Sequence, residues 1–406
     1  MLKILHTSDL HIGKRLYQAE LYEEQKLFFD WLTDFIRDHQ IDALLVSGDV
    51  FDVANPSSES RRVYYDLLRR LMMLNCKVVI TGGNHDSPNV LEAPGELLKH
   101  LDIHVTGGLS DDLSHLLVPL QSNNGNTKLV VACLPYLRDA DLRKYNQNET
   151  YEDRVEAIRK GITSVFTEAA ELCRERYPDV PAIAMGHLFL QGSDTSESER
   201  DIQIGNLAGL DVKHLPSYFN YYALGHLHKP QQPAPGFVYS GAPVQLSFSE
   251  AQNQNRLVMI TVENDTLDYE SLEVPRFRNL VRMEDTVEGI RNRLLNYIPR
   301  GKTLKDFIEL VAKEENHDPS KVIALESMID EFANEGAAIL KYRIIFKNKP
   351  TGMADLYDEH LNIAGMKPLD VFTNRLEKEN LDEKSTGLLM NAFAEILEEV
   401  EQKTEE

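Results

Sequence analysis

Four short runs along the chain share one pattern: apolar residues, then glycine or another small residue, then polar side chains. They read "ALLVSGD", "VVITGGNHD", "AIAMGH" and "YYALGHLH". Continuous apolar runs of this length predict strands buried on both faces. Between them, "EEQKLFFDWLTDFIRDH" and "SSESRRVYYDLLRRLMML" read as helices. The second opens after "NPSSES", where Pro56 and the serines can cap it. This alternation predicts a layered α/β domain through about residue 275. In such folds, sites form where the carboxyl ends of strands open into loops. The turn-rich run "HLFLQGSDTSESERD" is long for a connection, which marks a functional or flexible loop.

Near residue 275 the texture changes. "VPRFRNLVRMEDTVEGIRNRLLNYIPRGK" carries Arg276, Arg278, Arg282, Arg291, Arg293, Arg300 and Lys302 against three acids. That stretch reads either as a phosphate-contacting face or as a solvated helix with ion pairs. "DFIELVAKEE", "KVIALESMIDEFANEG" and "AAILKYRIIF" then predict a small α/β unit ending near Asn348. A helical tail follows, with Leu388, Leu389, Ala392, Phe393, Ile396, Leu397 and Val400 at helical spacing. Its apolar face, including Phe372 and Leu376, suits either self-packing or docking on a partner helix.

The 406 residues exceed one ordinary core, so two or three domains are expected. Apolar content of 42% and charged content of 27% fit a soluble globular chain. No apolar run approaches the roughly 20 residues that cross a bilayer. Asp9 interrupts the N-terminal segment where a secretory signal stays apolar, which argues for a cytoplasmic protein. Three scattered cysteines, Cys76, Cys133 and Cys173, read as reduced and packed. The net charge of −22 argues against coating nucleic acid by bulk attraction. It leaves room for a local basic face or bound cations.

The polar residues at the strand ends form a constellation. Asp9 and His11 lie in "SDLH", Asp49 and Asp52 in "GDVFD", and Asn84, His85 and Asp86 in "GNHD". His187 follows Gly186, and His226 and His228 lie in "GHLH". Singly, each reads more readily as a hydrogen-bonded structural histidine or a helix cap. Jointly, five strand ends would bring imidazole and carboxyl groups to one edge of one sheet. Burying that many polar groups without partners is costly, and metal ions resolve the cost. Carboxylate, imidazole and amide oxygen without thiolate disfavour structural zinc and suit Mn²⁺ or a similar borderline ion. Asp9, His11, Asp49, Asn84, His187, His226 and His228 exceed what one ion takes. Two ions roughly 3.5–4 Å apart, bridged by a carboxylate, would use them all. His85 is then left to face the substrate and protonate a leaving oxygen. Asp86 would orient His85 or its loop, and Gly82 and Gly83 would allow the turn.

This ordered set, Asp-x-His, Gly-Asp-x-x-Asp, Gly-Asn-His-Asp, Gly-His and Gly-His-x-His, resembles the calcineurin-like metallophosphoesterases. "LHTSDLHIGK", "GDVFDVANPSSE", "TGGNHDSP", "ALGHLHKPQ" and "YSGAPVQLSFSE" further resemble the nuclease subunits of double-strand-break repair complexes. The resemblance implies an α/β/β/α sandwich over 1–275, a small α/β DNA-capping domain over 276–350, and C-terminal helices over 351–406. Those helices would dock on a coiled-coil ATPase. It also implies a two-Mn²⁺ nuclease, with Mg²⁺ as the alternative, acting on double-stranded ends and on single strands and hairpins. A homodimer through helices near Arg61, Arg62, Arg69 and Arg70 is implied too, within a heterotetramer and with no membrane association.

By the same resemblance, Asp9, His11, Asp49 and His228 would hold one ion. Asp49, Asn84, His187 and His226 would hold the other, and His85 would be the catalytic histidine. Asp52 stands where archaeal and eukaryotic relatives carry histidine, so that histidine's role does not transfer to it. Two other readings stay open: a phosphodiesterase for cyclic nucleotides or a phosphoprotein phosphatase, and a DNA-end tether with a structural metal site. The residues beyond the first domain argue against the former, and His85 beside a complete ligand set against the latter.

Overall fold

The computed structural model describes residues 1–122, 124–142, 151–196, 199, 202, 209–301, 303–348, 372, 389, 390, 392 and 393. Met1–Ala312 with Ser327–Arg343 form one compact unit, and Lys313–Glu326 with Ile344–Glu406 another. The strands in chain order are β1 (Leu2–Thr7), β2 (Arg15–Leu16), β3 (Ala19–Glu20), β4 (Ala43–Ser47), β5 (Lys77–Thr81), β6 (Ile103–Thr106), β7 (Leu117–Gln121) and β8 (Thr127–Cys133). They continue with β9 (Ala182–His187), β10 (Tyr221–Gly225), β11 (Gln231–Ala234), β12 (Phe237–Tyr239), β13 (Arg256–Glu263) and β14 (Thr266–Glu273). The last three are β15 (Leu280–Asp285), β16 (Asp306–Asn316) and β17 (Ala337–Asn348). The helices that matter here are α1 (Tyr22–His39), α2 (Ser58–Met73) and the long α3 (Tyr151–Arg176).

Two six-stranded sheets face each other, in the orders β14-β13-β1-β4-β5-β6 and β11-β12-β10-β9-β8-β7. Neighbouring residues on the central strands serve opposite faces. Leu5, Leu44 and Val78 pack outward with Phe28 and Leu32 of α1 and Leu67 and Leu71 of α2. Ile4, Leu45 and Val79 pack inward with Val131, Ile183, Met185 and Ala223 of the second sheet. Val130, Ala184 and Leu224 face away, joining Ile158, Ile162 and Phe166 of α3. The continuous apolar runs are thus buried on both faces, and the layers are α/β/β/α. This is the sandwich that the resemblance implies, but the strand-end groups, expected at one edge of one sheet, come from two. β1, β4 and β5 belong to one sheet and β9 and β10 to the other, because both need a second apolar face covered.

α2 starts where expected. Ser57 caps it by accepting from the Ser60 N–H at 3.0 Å. Val63, Tyr64, Leu67, Leu68 and Leu71 are buried. Arg62 and Arg69 pair along the helix with Glu59 and Asp66, and Arg70 reaches Asp30 at 2.8 Å.

β15, β16 and β17 form a three-stranded sheet. Several arginines of the stretch leading into it bond within the chain, and Arg278 alone of them is buried. Arg276 donates to the carbonyls of Ala251 and Asn253, Arg282 pairs with Glu309 at 3.0 Å, and Arg293 donates to the Glu284 carbonyl. Arg278 is buried. It pairs with Glu24 and Glu23, donates to the Lys305 carbonyl at 2.7 Å, and lies 3.8 Å over the Phe307 ring. Arg278→Ala leaves the buried Glu24 carboxylate uncompensated, so stability falls by about 3–5 kcal/mol. Urea unfolding checks this, and a loss below about 1 kcal/mol would mean that Glu24 is not held by Arg278.

Cys76, Cys133 and Cys173 are buried and free. Burial pushes the thiols of Cys76 and Cys173 up to about 12, and raises that of Cys133 as well. A thiol reagent at pH 8 therefore labels none of them until the protein is unfolded, when all three react. Fast labelling of the native chain would contradict this packing.

Among the described residues, no helix is long and apolar enough to cross a membrane. In the tail, Phe372 and Phe393 stack with ring centroids 4.0 Å apart. Leu376, Leu388, Ile396, Leu397 and Val400 lie outside the described residues.

Candidate metal centre

Every residue singled out at a strand end comes to one place. Asp9 and His11 follow β1, Asp49 and Asp52 follow β4, and Asn84, His85 and Asp86 follow β5. From the second sheet, His187 ends β9, and His226 and His228 follow β10. The sheets are stitched at this end: Ser47 Oγ donates to the Ala223 carbonyl at 2.9 Å, and the His226 N–H donates to Asp9 at 3.0 Å. The backbone here is held away from its preferred conformations. Asp9, His11, Asp49 and His226 have φ of 54°, 42°, 49° and 98°. Non-glycine residues adopt such angles rarely, and they cluster where the fold over-determines a functional geometry.

Asp49 is the hub. Its Oδ2 lies 3.5 Å from His11 Nε2 and 3.4 Å from His187 Nε2, and its Oδ1 accepts the His85 N–H at 2.9 Å. His187 Nε2 is 2.9 Å from Asn84 Oδ1, and its Nδ1 lies 3.0 Å from the Ser47 carbonyl. The His11 ring meets those of His85 and His228 edge-on at 4.7 and 5.0 Å, and His187 meets His226 at 5.5 Å. Among the described residues, three groups bring one ligand atom from each residue within 4.8 Å of one another: Asp9, His11 and His228; Asp9, Asp49 and His187; His11, Asp52 and His85.

Burial governs the charges. It raises the Asp9 carboxyl to about 6 and lowers the His11 imidazole to about 4. It also holds His226 well below the ordinary histidine value, so His11 and His226 are neutral at pH 7. At His187, burial is outweighed by the Asp49 carboxylate, and at His228 by Glu250; both rise to about 9. Burial also opposes ionisation of Asp49, but the surrounding imidazoles, His187 first, hold it far below the usual carboxylate range.

Two observations test whether cations fit. His11 Nε2 and His226 Nε2 are buried with no hydrogen-bond partner. Buried nitrogens without partners are costly, and neutral imidazole is the form that ligates metal. The donor set is carboxylate, imidazole and amide oxygen, as hard-to-borderline divalent ions prefer. The residues fit divalent cations.

The glycines of "TGGNHDSP" answer to space rather than to turning. A Cβ on Gly83 would lie 2.1 Å from Asp49 Oδ1, and one on Gly82 2.5 Å from the Gly107 carbonyl oxygen. Neither glycine has positive φ. Of the two roles expected for Asp86, the bonds fit the loop: its carboxylate accepts the N–H groups of Val50, Phe51 and Gly83 at 3.0, 2.9 and 2.9 Å. It ties the β4 loop to the β5 loop. Asp52 lies 3.2 Å from His11 Nδ1 and pairs with Lys14 at 3.0 Å, so it braces a ring. Its carbonyl meets His85 Nδ1 at 2.7 Å.

Several partners were missed in the sequence. Glu250 holds His228 Nδ1 at 3.0 Å, and Glu199 accepts the His228 N–H at 2.8 Å. Ser8 Oγ donates to Asp9 Oδ2 at 2.5 Å. The one available signal was a glutamate closing the apolar run "APVQLSFSE".

The calcineurin-like phosphoesterase family matches residues 2–230, and the chain belongs to it. The chain is therefore a phosphoesterase by family. It is similar to the SbcD subunit of the SbcCD nuclease of Escherichia coli (strain K12), 28% identical over 403 residues and covering 98% of each chain. The nuclease subunit of the same name from Rhodobacter capsulatus is 39% identical over 261 residues, covering 61% of this chain and 64% of its own. That of Bacillus subtilis is 32% identical over 255 residues, covering 62% and 63%.

Proposed function

We propose that the chain is a Mn²⁺-dependent DNA nuclease, with Mg²⁺ as the alternative ion, working in the cytoplasm beside the ATPase SbcC. Asp9, His11, Asp49 and His228 would hold one cation, and Asp49, Asn84, His187 and His226 a second. The observation that carries this reading is the Asp49 carboxylate, flanked by His11 and His187, beside two buried imidazole nitrogens that make no hydrogen bond. Bound there, the cations would polarise the scissile phosphodiester and supply a hydroxide at neutral pH.

The chain's own residues do the rest. His85 Nδ1 is committed to the Asp52 carbonyl, so proton transfer to the leaving oxygen runs through Nε2. Glu250 and Asp52 set the rings of His228 and His11, and Asp86 holds the two loops in register.

DNA, rather than a cyclic nucleotide or phosphoprotein, is favoured by similarity along the whole length to a nuclease subunit. In this reading 1–275 is the nuclease domain and cuts double-stranded ends, single strands and hairpins. Residues 276–350 cap DNA, 351–406 dock on SbcC, and two copies join two SbcC chains. Calorimetric titration of the metal-free chain tests the centre. Two equivalents of Mn²⁺ are expected, and saturation at one would contradict a shared Asp49.

A further inference from the structure

A cleft of about 520 Å³ opens at the same end of the sandwich as Asp9. Register fixes its place. β13 runs antiparallel to β1 with Val258 opposite His6, so the start of β13 lies level with the end of β1. Ser271 of β14 pairs with Val258, and β12 runs parallel to β10, ending beside it. Val238 and Val258 give the cleft an apolar floor, and both are buried. Its inner wall is Ser240, whose Oγ lies 2.9 Å from Ser8 Oγ, the group that donates to Asp9. On its rim, Lys229 directly follows His228.

The wall chemistry is amide rather than cationic. Lys229 pairs with Asp194 at 2.5 Å. Arg256 bonds Ser271 and lies 4.0 Å from Glu273, and Glu270 adds a further carboxylate to the lining. Among the described residues, by contrast, the side-chain amides of Gln252 and Asn253 make no hydrogen bond. A side-chain amide presents a donor and an acceptor side by side, which is what the edge of a nucleobase pairs with. An apolar floor takes the face of a ring, and the volume falls in the range of small-molecule sites. A phosphate, lacking donors and meeting paired cations, is served poorly by these walls.

We propose that this cleft takes one base of the substrate strand beside the cut, held by Gln252 and Asn253 over Val238 and Val258. The proposal rests on the DNA-cutting reading above. It makes the cleft a positioning site that acts on substrate affinity, with the chemistry left to the metal centre.

The test uses the full chain with Mn²⁺, alone and with its ATPase partner. Substrates are a labelled single-stranded oligonucleotide, the same strand with one abasic position stepped past the cut, and bis(4-nitrophenyl) phosphate, which has no base. The double substitution Q252A/N253A raises KM for the oligonucleotide about tenfold and leaves kcat and turnover of the small diester unchanged. Ser271→Trp, which fills the cleft from an exposed edge-strand position, gives the same rise. In the wild type, one abasic position carries the same tenfold penalty, and in the double variant it carries none. An unchanged KM, or an abasic penalty equal in both proteins, overturns the proposal alone. A wild type that hydrolyses the small diester and leaves DNA untouched overturns the DNA-cutting reading, and this proposal with it.

Discussion

His85→Gln lowers the rate of DNA cutting by about 10²–10⁴-fold while Mn²⁺ binding stays intact. The size follows from the role. The His85 N–H is anchored on Asp49 Oδ1, and Nδ1 on the Asp52 carbonyl, so the ring is fixed beside the cluster. Glutamine keeps a polar side chain of similar reach but carries no transferable proton at pH 7. The loss falls on kcat, with KM little changed, since only the transition state draws on that proton. A substrate with a leaving group of low pKa, such as a nitrophenyl ester, recovers most of the lost rate. An equal loss on both substrates would assign His85 to holding the site together instead.

Asp49→Asn is expected to act on the metal itself. The substitution removes the carboxylate that faces both His11 and His187. Replacing residues that merely orient a ligand costs about 10–100-fold in metal affinity, so loss of the shared carboxylate costs more. Titration should show Mn²⁺ affinity reduced by more than about 100-fold, and cutting absent at metal concentrations that saturate the wild type. The two variants separate cleanly: His85→Gln binds metal without cutting, and Asp49→Asn does neither. Cutting by Asp49→Asn at the wild-type rate would remove Asp49 from the centre of this account.

The strand-end groups were legible in the sequence because each is local. An apolar run, a small residue and a polar side chain appear within nine positions, as in "VVITGGNHD". What joins them was not legible. β1 pairs with β13, Leu2 opposite Val262, and nothing within either segment names the other. The same distance hid from the pattern which sheet each strand joins, since Ile183 and Leu45 carry equally apolar patterns whichever sheet they join. Glu250 and Glu199 went unnoticed for a related reason. A lone glutamate reads as surface until the fold brings it to His228, 22 and 29 positions away. Arg278 shows the opposite error, in which a side chain counted toward a cationic face turns inward to Glu24, 254 positions earlier. Local chemistry was readable, and long-range pairing decided which of it was exposed.

The most direct test of the central claim is cutting of a labelled hairpin duplex by the purified chain. It is run with Mn²⁺, with Mg²⁺ and with chelator, each with and without the ATPase partner, beside a cyclic nucleotide. The account predicts hairpin cutting that requires the divalent ion, is strongest with Mn²⁺, rises with partner and ATP, and stops in chelator. Hydrolysis of the cyclic nucleotide with the hairpin intact in every arm, partner included, would contradict it.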